Sequence, residues 1–178
     1  DTRAIIMKTP ARIAAAVLAT VGLVGSAAAH EMFLKSEGHV LAPGPEQLVR
    51  LVNGTFDISE NSSARDRMAD VSVVTGGKVT KPATGDWYDD DSSSYLKYRG
   101  ETPGTYVLGV STRPKVISMS GEDFAKYLKH DGVLDALAEF EKGPKPKAVR
   151  ERYSKHVRAI VQIGDARTAD HAAALGYP

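Results

Sequence analysis

The sequence contains no cysteine among its 178 residues. This absence excludes disulfides, thiolate metal ligands, a cysteine nucleophile and lipidation of an N-terminal cysteine. An excess of charge of one sign is also lacking, because 23 lysines and arginines balance 22 aspartates and glutamates. No basic stripe is interleaved with aromatic residues, so a nucleic-acid partner is not expected. Any metal ion would have to be bound by histidine, carboxylate, backbone groups or the amino terminus.

Long hydrophobic runs are also lacking, apart from one near the start at residues 13–24. About a dozen apolar residues are too few to span a bilayer. Basic residues precede this run and the small-residue pattern Ala27-x-Ala29 follows it, an arrangement typical of a signal peptide. We therefore predict that residues 1–29 are upstream sequence plus a signal peptide cleaved between Ala29 and His30. The released protein would be periplasmic without stable membrane insertion; an uncleaved anchor is the alternative.

In the rest of the chain, short apolar runs separated by turn residues predict β structure. The strand candidates are residues 30–35, 47–52, 70–75, 78–80, 95–98, 105–112, 115–119 and 155–163. Gly76-Gly77 predicts a tight hairpin between the third and fourth of these. Strands of this length and spacing are typical of a β-sandwich of antiparallel sheets. The fold class is therefore predicted to be mainly β.

One stretch before the last strand has helical character instead. Ser120 precedes an acidic first turn, which is favourable at a helix N-terminus. The apolar residues that follow have helical spacing and share one face: Phe124, Tyr127 and Leu128. Gly132 separates this helix from a second one. We predict a sandwich domain at residues 30–165 with a helical hairpin inserted at 120–152, and a linker at 166–178 leading to a missing C-terminal domain.

Catalytic signatures are absent from the sequence. There is no nucleophile elbow, zinc-protease helix, phosphate-binding glycine loop or dinucleotide fingerprint. Ser154 and Lys155 are neighbours, and strand neighbours point to opposite faces, so they do not predict a dyad. No catalytic residue is predicted, and the chain is interpreted as a protein that is not an enzyme.

His30 is the sharpest candidate site residue, because cleavage after Ala29 would give it a free α-amine beside its imidazole. Amine and ring nitrogen together can chelate a transition metal, and a second imidazole would complete a histidine brace. His39 is the candidate for that imidazole, and Glu31 is a candidate oxygen ligand. Such a nitrogen-rich site would favour Cu²⁺ over Ni²⁺. The alternative is that the His30 ring is merely exposed to solvent.

A second candidate region is an acidic loop with two aromatic residues. Asp86, Asp89, Asp90 and Asp91 offer oxygen ligands for Ca²⁺, but their spacing does not match an alternating calcium loop. A solvated loop is the preferred interpretation. Trp87 and Tyr88 in the same loop could stack on a sugar ring, although such residues more often cover the edge of a core.

Several segments together resemble the NikM-like periplasmic family, a domain-of-unknown-function family once labelled the substrate-specific component of nickel uptake. The segments are His30-Glu31-Met32-Phe33-Leu34, Leu51-Val52-Asn53-Gly54-Thr55-Phe56, residues 104–112, residues 124–132, Glu151-Arg152-Tyr153-Ser154-Lys155 and Leu175-Gly176-Tyr177-Pro178. The resemblance covers residues 30–178. It implies an exported protein with an immunoglobulin-like or prealbumin-like β-sandwich, often followed by a second small β domain, and a link to metal uptake.

The sequence therefore supports three functional hypotheses. The first is an exported binding or accessory protein for the uptake or handling of nickel, copper or cobalt, with a membrane transporter or outer-membrane receptor as partner. The second is a copper-dependent oxidoreductase that uses the His30 brace. The third is a non-catalytic module that binds carbohydrate or protein through Trp87 and Tyr88.

Overall fold

The computed structural model describes residues 31–177; residues 1–30 and Pro178 lie outside the described part of the chain. The predicted signal peptide, its cleavage site and His30 all fall among the residues outside it. Within residues 31–177 the chain forms eleven strands and two α-helices. In chain order the elements are β1 (Glu31–Ser36), β2 (Val40–Leu41), β3 (Glu46–Gly54), β4 (Met68–Thr75), β5 (Lys78–Thr80), β6 (Trp87–Asp89) and β7 (Ser94–Arg99). They continue with β8 (Gly104–Thr112), β9 (Lys115–Met119), α1 (Gly121–His130), α2 (Leu134–Phe140), β10 (Val149–Tyr153) and β11 (His156–Ile163).

Nine of the strands build two sheets that pack face to face. One sheet has the order β1-β3-β7-β6 and the other the order β2-β11-β8-β4-β5. Neighbouring strands are antiparallel, apart from the parallel pair of β2 and β11. The predicted β-sandwich with a helical insertion is therefore confirmed.

The core lies between the two sheets and follows from the period-two pattern of the strands, which sends alternate side chains to one face. In β3, for example, Val49 and Leu51 are buried in the core while Arg50 between them is not. The four-stranded sheet contributes Val49, Leu51, Leu96 and Tyr98, and the five-stranded sheet contributes Val71, Val73, Leu108, Val110, Val161 and Ile163. A core of this size can stabilise a domain that has no disulfide.

β9, α1, α2 and β10 form a separate unit, residues 115–153, which we call the arm. The two strands pair with each other in a two-stranded antiparallel sheet, and the helices connect them. Ser120 caps α1 as predicted, because its side chain accepts a hydrogen bond from the backbone N–H of Asp123. The helices pack through Phe124 and Phe140, whose ring centroids are 5.0 Å apart.

The structure differs from the sequence prediction in three segments. The predicted helical insertion extends to residue 152, whereas Val149–Tyr153 is strand β10. The acidic loop contains strand β6, which pairs with β7. The strand predicted at residues 47–52 is longer in the structure, because β3 includes Asn53 and Gly54 and the chain turns after them.

The C-terminal segment, residues 166–177, was predicted as a linker, and in the structure it lies against the five-stranded sheet. The backbone N–H of Thr105 donates to the Thr168 hydroxyl at 2.9 Å. Further along, Leu175 and Tyr177 lie directly over Gly109 of β8, where no larger residue would fit: an added Cβ would be 2.5 Å from the Tyr177 hydroxyl oxygen. This hydroxyl donates to Asp70 of β4 at 3.2 Å.

Candidate functional site

A cavity of about 790 Å³ lies between the arm and one end of the sandwich. We call it the arm cavity. Its volume falls in the range typical of small-molecule sites, about 300–1,000 Å³. Its walls come from β1, β3, the loop at residues 61–64, the 3₁₀ turn that follows the loop, β9, α1 and the connection between β10 and β11. The lining residues are Met32, Asn53, Asn61, Ser62, Ser63, Ala64, Arg67, Lys115, Ile117, Met119, Tyr127, Tyr153, Ser154 and Lys155.

The cavity exists because one long strand pair is interrupted. β8 and β11 pair along the sandwich, and their continuations β9 and β10 pair again in the arm. At the interruption the Thr112 N–H donates to the carbonyl of Lys155 at 2.9 Å, and the Lys155 N–H donates to the Thr112 hydroxyl at 2.8 Å. The break therefore sets the arm off from the sandwich without leaving these backbone groups unpaired.

The loop wall of the cavity is held by buried hydrogen bonds to the sandwich. Ser94 of β7 is buried, and its hydroxyl accepts from the Ser63 N–H at 2.7 Å and donates to the Ser63 carbonyl at 2.9 Å. The indole N–H of Trp87 donates to the same carbonyl at 3.2 Å. Ser63 therefore has a fixed position, and the only tryptophan of the chain contacts the wall of the cavity.

Three cationic side chains line the cavity at its sandwich end: Arg67, Lys115 and Lys155. Arg67 lies in the 3₁₀ turn Arg65–Arg67, which is attached to the interruption because the Arg113 N–H donates to the Arg67 carbonyl at 2.9 Å. Burial lowers the pKa of Lys155; the charge of Glu31 opposes this shift and that of Arg67 adds to it. Within residues 31–177, no carboxylate lies within the 4.0 Å of an ion pair to any of the three cations.

The predicted metal ligands Glu31 and His39 lie at opposite ends of β1. Glu31 is the first residue of β1, near Lys155 at the end that borders the arm cavity. His39 lies beyond the other end of β1, where its carbonyl accepts from the Gln162 N–H at 2.7 Å. Six extended residues at about 3.3 Å each separate these ends. The structure therefore does not bring Glu31 and His39 together, and the role of His30, which lies outside the described residues, stays a prediction.

Within residues 31–177, no three histidine or carboxylate side chains are grouped as metal ligands. Of the remaining histidines, His156 lies on β11, where its Nδ1 is 2.9 Å from the Ser111 hydroxyl and its ring is 5.3 Å from that of Tyr177. His130 is in the last turn of α1, with its Nδ1 3.2 Å from an Asp131 oxygen. His171 begins the 3₁₀ turn of the C-terminal segment.

The carboxylates of the acidic loop bind the protein's own groups. Asp90 accepts from the backbone N–H groups of Ser92 and Ser93 at 2.8 and 2.6 Å and from the Tyr95 hydroxyl at 2.8 Å. The hydrogen bond from Ser92 is the largest of the contributions that lower the pKa of Asp90. Asp89 accepts from the indole of Trp87 at 3.0 Å. These oxygens therefore help to hold the conformation of the loop.

The two aromatic residues of this loop do not form an exposed platform. Trp87 is only 7% exposed and belongs to the core. Tyr88 is partly exposed, but its ring stacks on that of Tyr95 at a centroid distance of 5.0 Å. Trp87 therefore covers the edge of the core, and its ring is not available to stack on a sugar.

Sequence reasoning missed the three cations of the cavity. One pattern could have indicated three lining residues: the alternation of Lys115, Ile117 and Met119 along β9 gives this strand one cavity face. The opposite face of the arm carries Val116 and Arg152, which are exposed. Nothing in the sequence indicates that a lysine forty positions later and an arginine from a distant loop join Lys115.

No helix in residues 31–177 combines the length and the apolar character that crossing a membrane requires. Comparison of the chain with protein-family models, with curated proteins and with solved structures finds no match.

Proposed function

We propose that this chain is an exported, non-catalytic binding protein whose ligand is a small molecule with a negatively charged group, bound in the arm cavity. The observation that carries the proposal is that Arg67, Lys115 and Lys155 together line the sandwich end of the cavity, without an ion-paired carboxylate among the described residues. Arg67 and Lys155 are partly buried and Lys115 is exposed, and a partly buried positive charge that lacks a partner is costly. An anionic ligand would offset that cost and be attracted by the field of three cations.

The neutral groups of the cavity suit the same ligand. Asn53, Asn61 and the serines of the loop offer hydrogen bonds to a carboxylate or phosphate oxygen. Arginine binds such groups through two parallel N–H donors, and lysine binds them as a point charge. The export half of the proposal rests on the signal-peptide pattern of residues 1–29.

The test measures the affinity of the protein for phosphate and for acetate, by calorimetry and by the fluorescence of Trp87. Lys115→Met removes one positive charge from the cavity and should weaken binding at least about tenfold, the size expected for losing one charged hydrogen-bond donor. Arg152→Met removes one charge from the exposed face of the same arm and is the matched control. Equal affinities of the two variants, or no binding by the unaltered protein, would refute the proposal.

A second candidate function, transition-metal handling, is favoured by one specific observation. Met32 of β1 and Met119 of β9 both line the arm cavity, and His30 stands two residues before Met32 in the sequence. Thioether sulfurs are soft ligands that favour Cu(I), whereas an amine and an imidazole suit Cu²⁺ or Ni²⁺.

This candidate is tested by titrating copper and nickel into protein that starts at His30 and into protein with one extra N-terminal residue. Tight binding that the extra residue weakens would support a site built on the free amine. Equal affinity would exclude that site. Oxidation of ascorbate by the copper-loaded protein would indicate the oxidoreductase alternative.

A further inference from the structure

The arm cavity is cationic at one end and apolar at the other. Lys115, Ile117 and Met119 point into it from successive positions on one face of β9, with Lys115 next to the sandwich and Met119 next to α1. Two-residue steps along a strand are about 6.7 Å, so about 13 Å separate the first and last of these positions. A ligand that lies along β9 therefore meets charge first and apolar surface afterwards.

The charged end is held rigidly where the arm joins the sandwich. Arg67 donates to the carbonyl of Arg113, and the Arg113 guanidinium donates to the Asp66 carbonyl at 2.9 Å. Lys155 follows β10 directly and is tied by its backbone to Thr112. These attachments fix the backbone of two cations on either side of the interruption, as a preformed anion site requires.

Apolar and aromatic groups line the cavity away from the cations, with the carboxylate of Glu151 beside them. Ile117 and Met119 of β9 and Tyr127 of α1 line this part of the cavity. The Tyr127 hydroxyl donates to the Glu151 carboxylate at 3.3 Å. Burial raises the pKa of Tyr127 to about 12, so this hydroxyl stays protonated at neutral pH. Glu151 is the cross-strand partner of Ile117, and one of its carboxylate oxygens is buried without a hydrogen-bond partner. Like-charge repulsion from this carboxylate directs the negative group of a ligand to the cationic end.

We propose that the arm cavity binds an amphipathic organic acid about 10 Å long, with its carboxylate between Arg67, Lys115 and Lys155 and its apolar body along Ile117, Met119 and Tyr127. This inference rests on the proposed function and adds the class of ligand to it. Each methylene that is moved from water into the apolar end increases affinity about threefold to fourfold. The increase stops when the chain is longer than the cavity.

The experiment is a calorimetric titration of the protein with a homologous series of straight-chain carboxylates from acetate to dodecanoate, below their micelle concentrations. Affinity should rise with each methylene up to about eight carbons and then level off, because the cavity face of β9 spans about 13 Å. Octanol and octylamine should bind at least about tenfold more weakly than octanoate, because they have no negative group. Phosphate is measured in parallel as an anion without an apolar body.

Two variants locate the effect. Met119→Gln makes the apolar end polar and should flatten the dependence on chain length while leaving acetate and phosphate binding unchanged. Val116→Gln alters the exposed face of the same strand and should leave the whole series unchanged. The carboxylate series measured with the unaltered protein tests the length dependence without any variant. The proposal can therefore be refuted even if a variant folds poorly.

The outcomes separate this inference from the proposed function. Phosphate and all carboxylates binding with one affinity, regardless of length, would overturn the organic-acid ligand and leave the anion-binding protein standing. Octanol or octylamine binding as tightly as octanoate would overturn both, because charge would then not matter. Absence of binding by every anion would likewise overturn both.

Discussion

The position of the cavity wall depends on Ser94, and replacing this residue tests whether the hydrogen bonds of the loop are as important as their geometry indicates. Ser94 is fully buried and makes two hydrogen bonds with the backbone of Ser63, as donor and as acceptor. Ser94→Ala removes only the hydroxyl oxygen. The Ser63 N–H then lacks its partner, whereas the Ser63 carbonyl still accepts from Trp87.

The expected loss follows from that difference. Leaving a buried donor without a partner costs about 1–3 kcal/mol, and the acceptor that keeps a second donor adds little. For a domain of this size the urea dependence of the unfolding free energy is about 2 kcal/mol per molar. The urea midpoint of Ser94→Ala should therefore fall by about 0.5–1.5 M, with an unchanged slope.

Urea unfolding followed by fluorescence measures this directly, because Trp87 is the only tryptophan and contacts the loop in question. Ser118→Ala, on the exposed face of β9, is the control and should leave the midpoint unchanged. A midpoint for Ser94→Ala within about 0.2 M of the control would refute the reasoning, since the bonds to Ser63 would then contribute nothing measurable. A changed slope would instead mean that the variant alters how much surface unfolding exposes.

Three further predictions concern pH and packing. Partial burial raises the pKa of Asp70, but hydrogen bonds from neighbouring lysine, serine and tyrosine side chains outweigh this effect, so the folded pKa is lowered. The stability that this carboxylate contributes is present above its unfolded pKa and is lost as pH falls through the lower folded pKa. Between pH 5 and about pH 2, the unfolding free energy of Asp70→Asn should therefore fall less than that of the unaltered protein. Because burial lowers the pKa of Lys155, this lysine loses its positive charge at a lower pH than an exposed lysine does. Anion affinity measured by calorimetry should therefore begin to fall earlier as pH is raised, and Lys155→Arg, which stays charged, should move that fall to higher pH. Gly109→Ala should destabilise the protein by about 1–3 kcal/mol and make the C-terminal segment more sensitive to protease, since the new methyl group collides with Tyr177, whereas Gly143→Ala, with open space around it, should have neither effect.

The sandwich was predictable because its information is local. The alternation of β3 and the valine-rich run of β8 each indicate a strand without reference to the rest of the chain. Ser120 with its acidic first turn likewise indicates the start of α1. These elements were predicted at nearly their observed bounds, and so the fold class was correct.

The candidate site was less predictable because its residues meet only in three dimensions. The sequence does not predict β10, because its only apolar residues are Val149 and Tyr153 at the two ends. Its strand conformation depends on pairing with β9. His39 is near the predicted N-terminus in sequence, but it lies beyond the end of β1 that is opposite to Glu31, and sequence spacing alone does not indicate this separation. Charge counts gave a nearly neutral protein and could not indicate that three cations gather at one cavity.

The two candidate functions concern the same end of the molecule and are therefore linked through Glu31. This carboxylate begins β1 directly after His30, and its charge acts on Lys155 in the arm cavity. A metal ion bound at Glu31 would neutralise that carboxylate and add positive charge beside the cationic end, which favours an anion there. By linkage the bound anion must favour the metal to the same extent. An anion affinity that rises when copper or nickel is added would thus mean that the metal and the anion bind at neighbouring, coupled sites, whereas independence would mean that the cavity binds the anion without help from a metal.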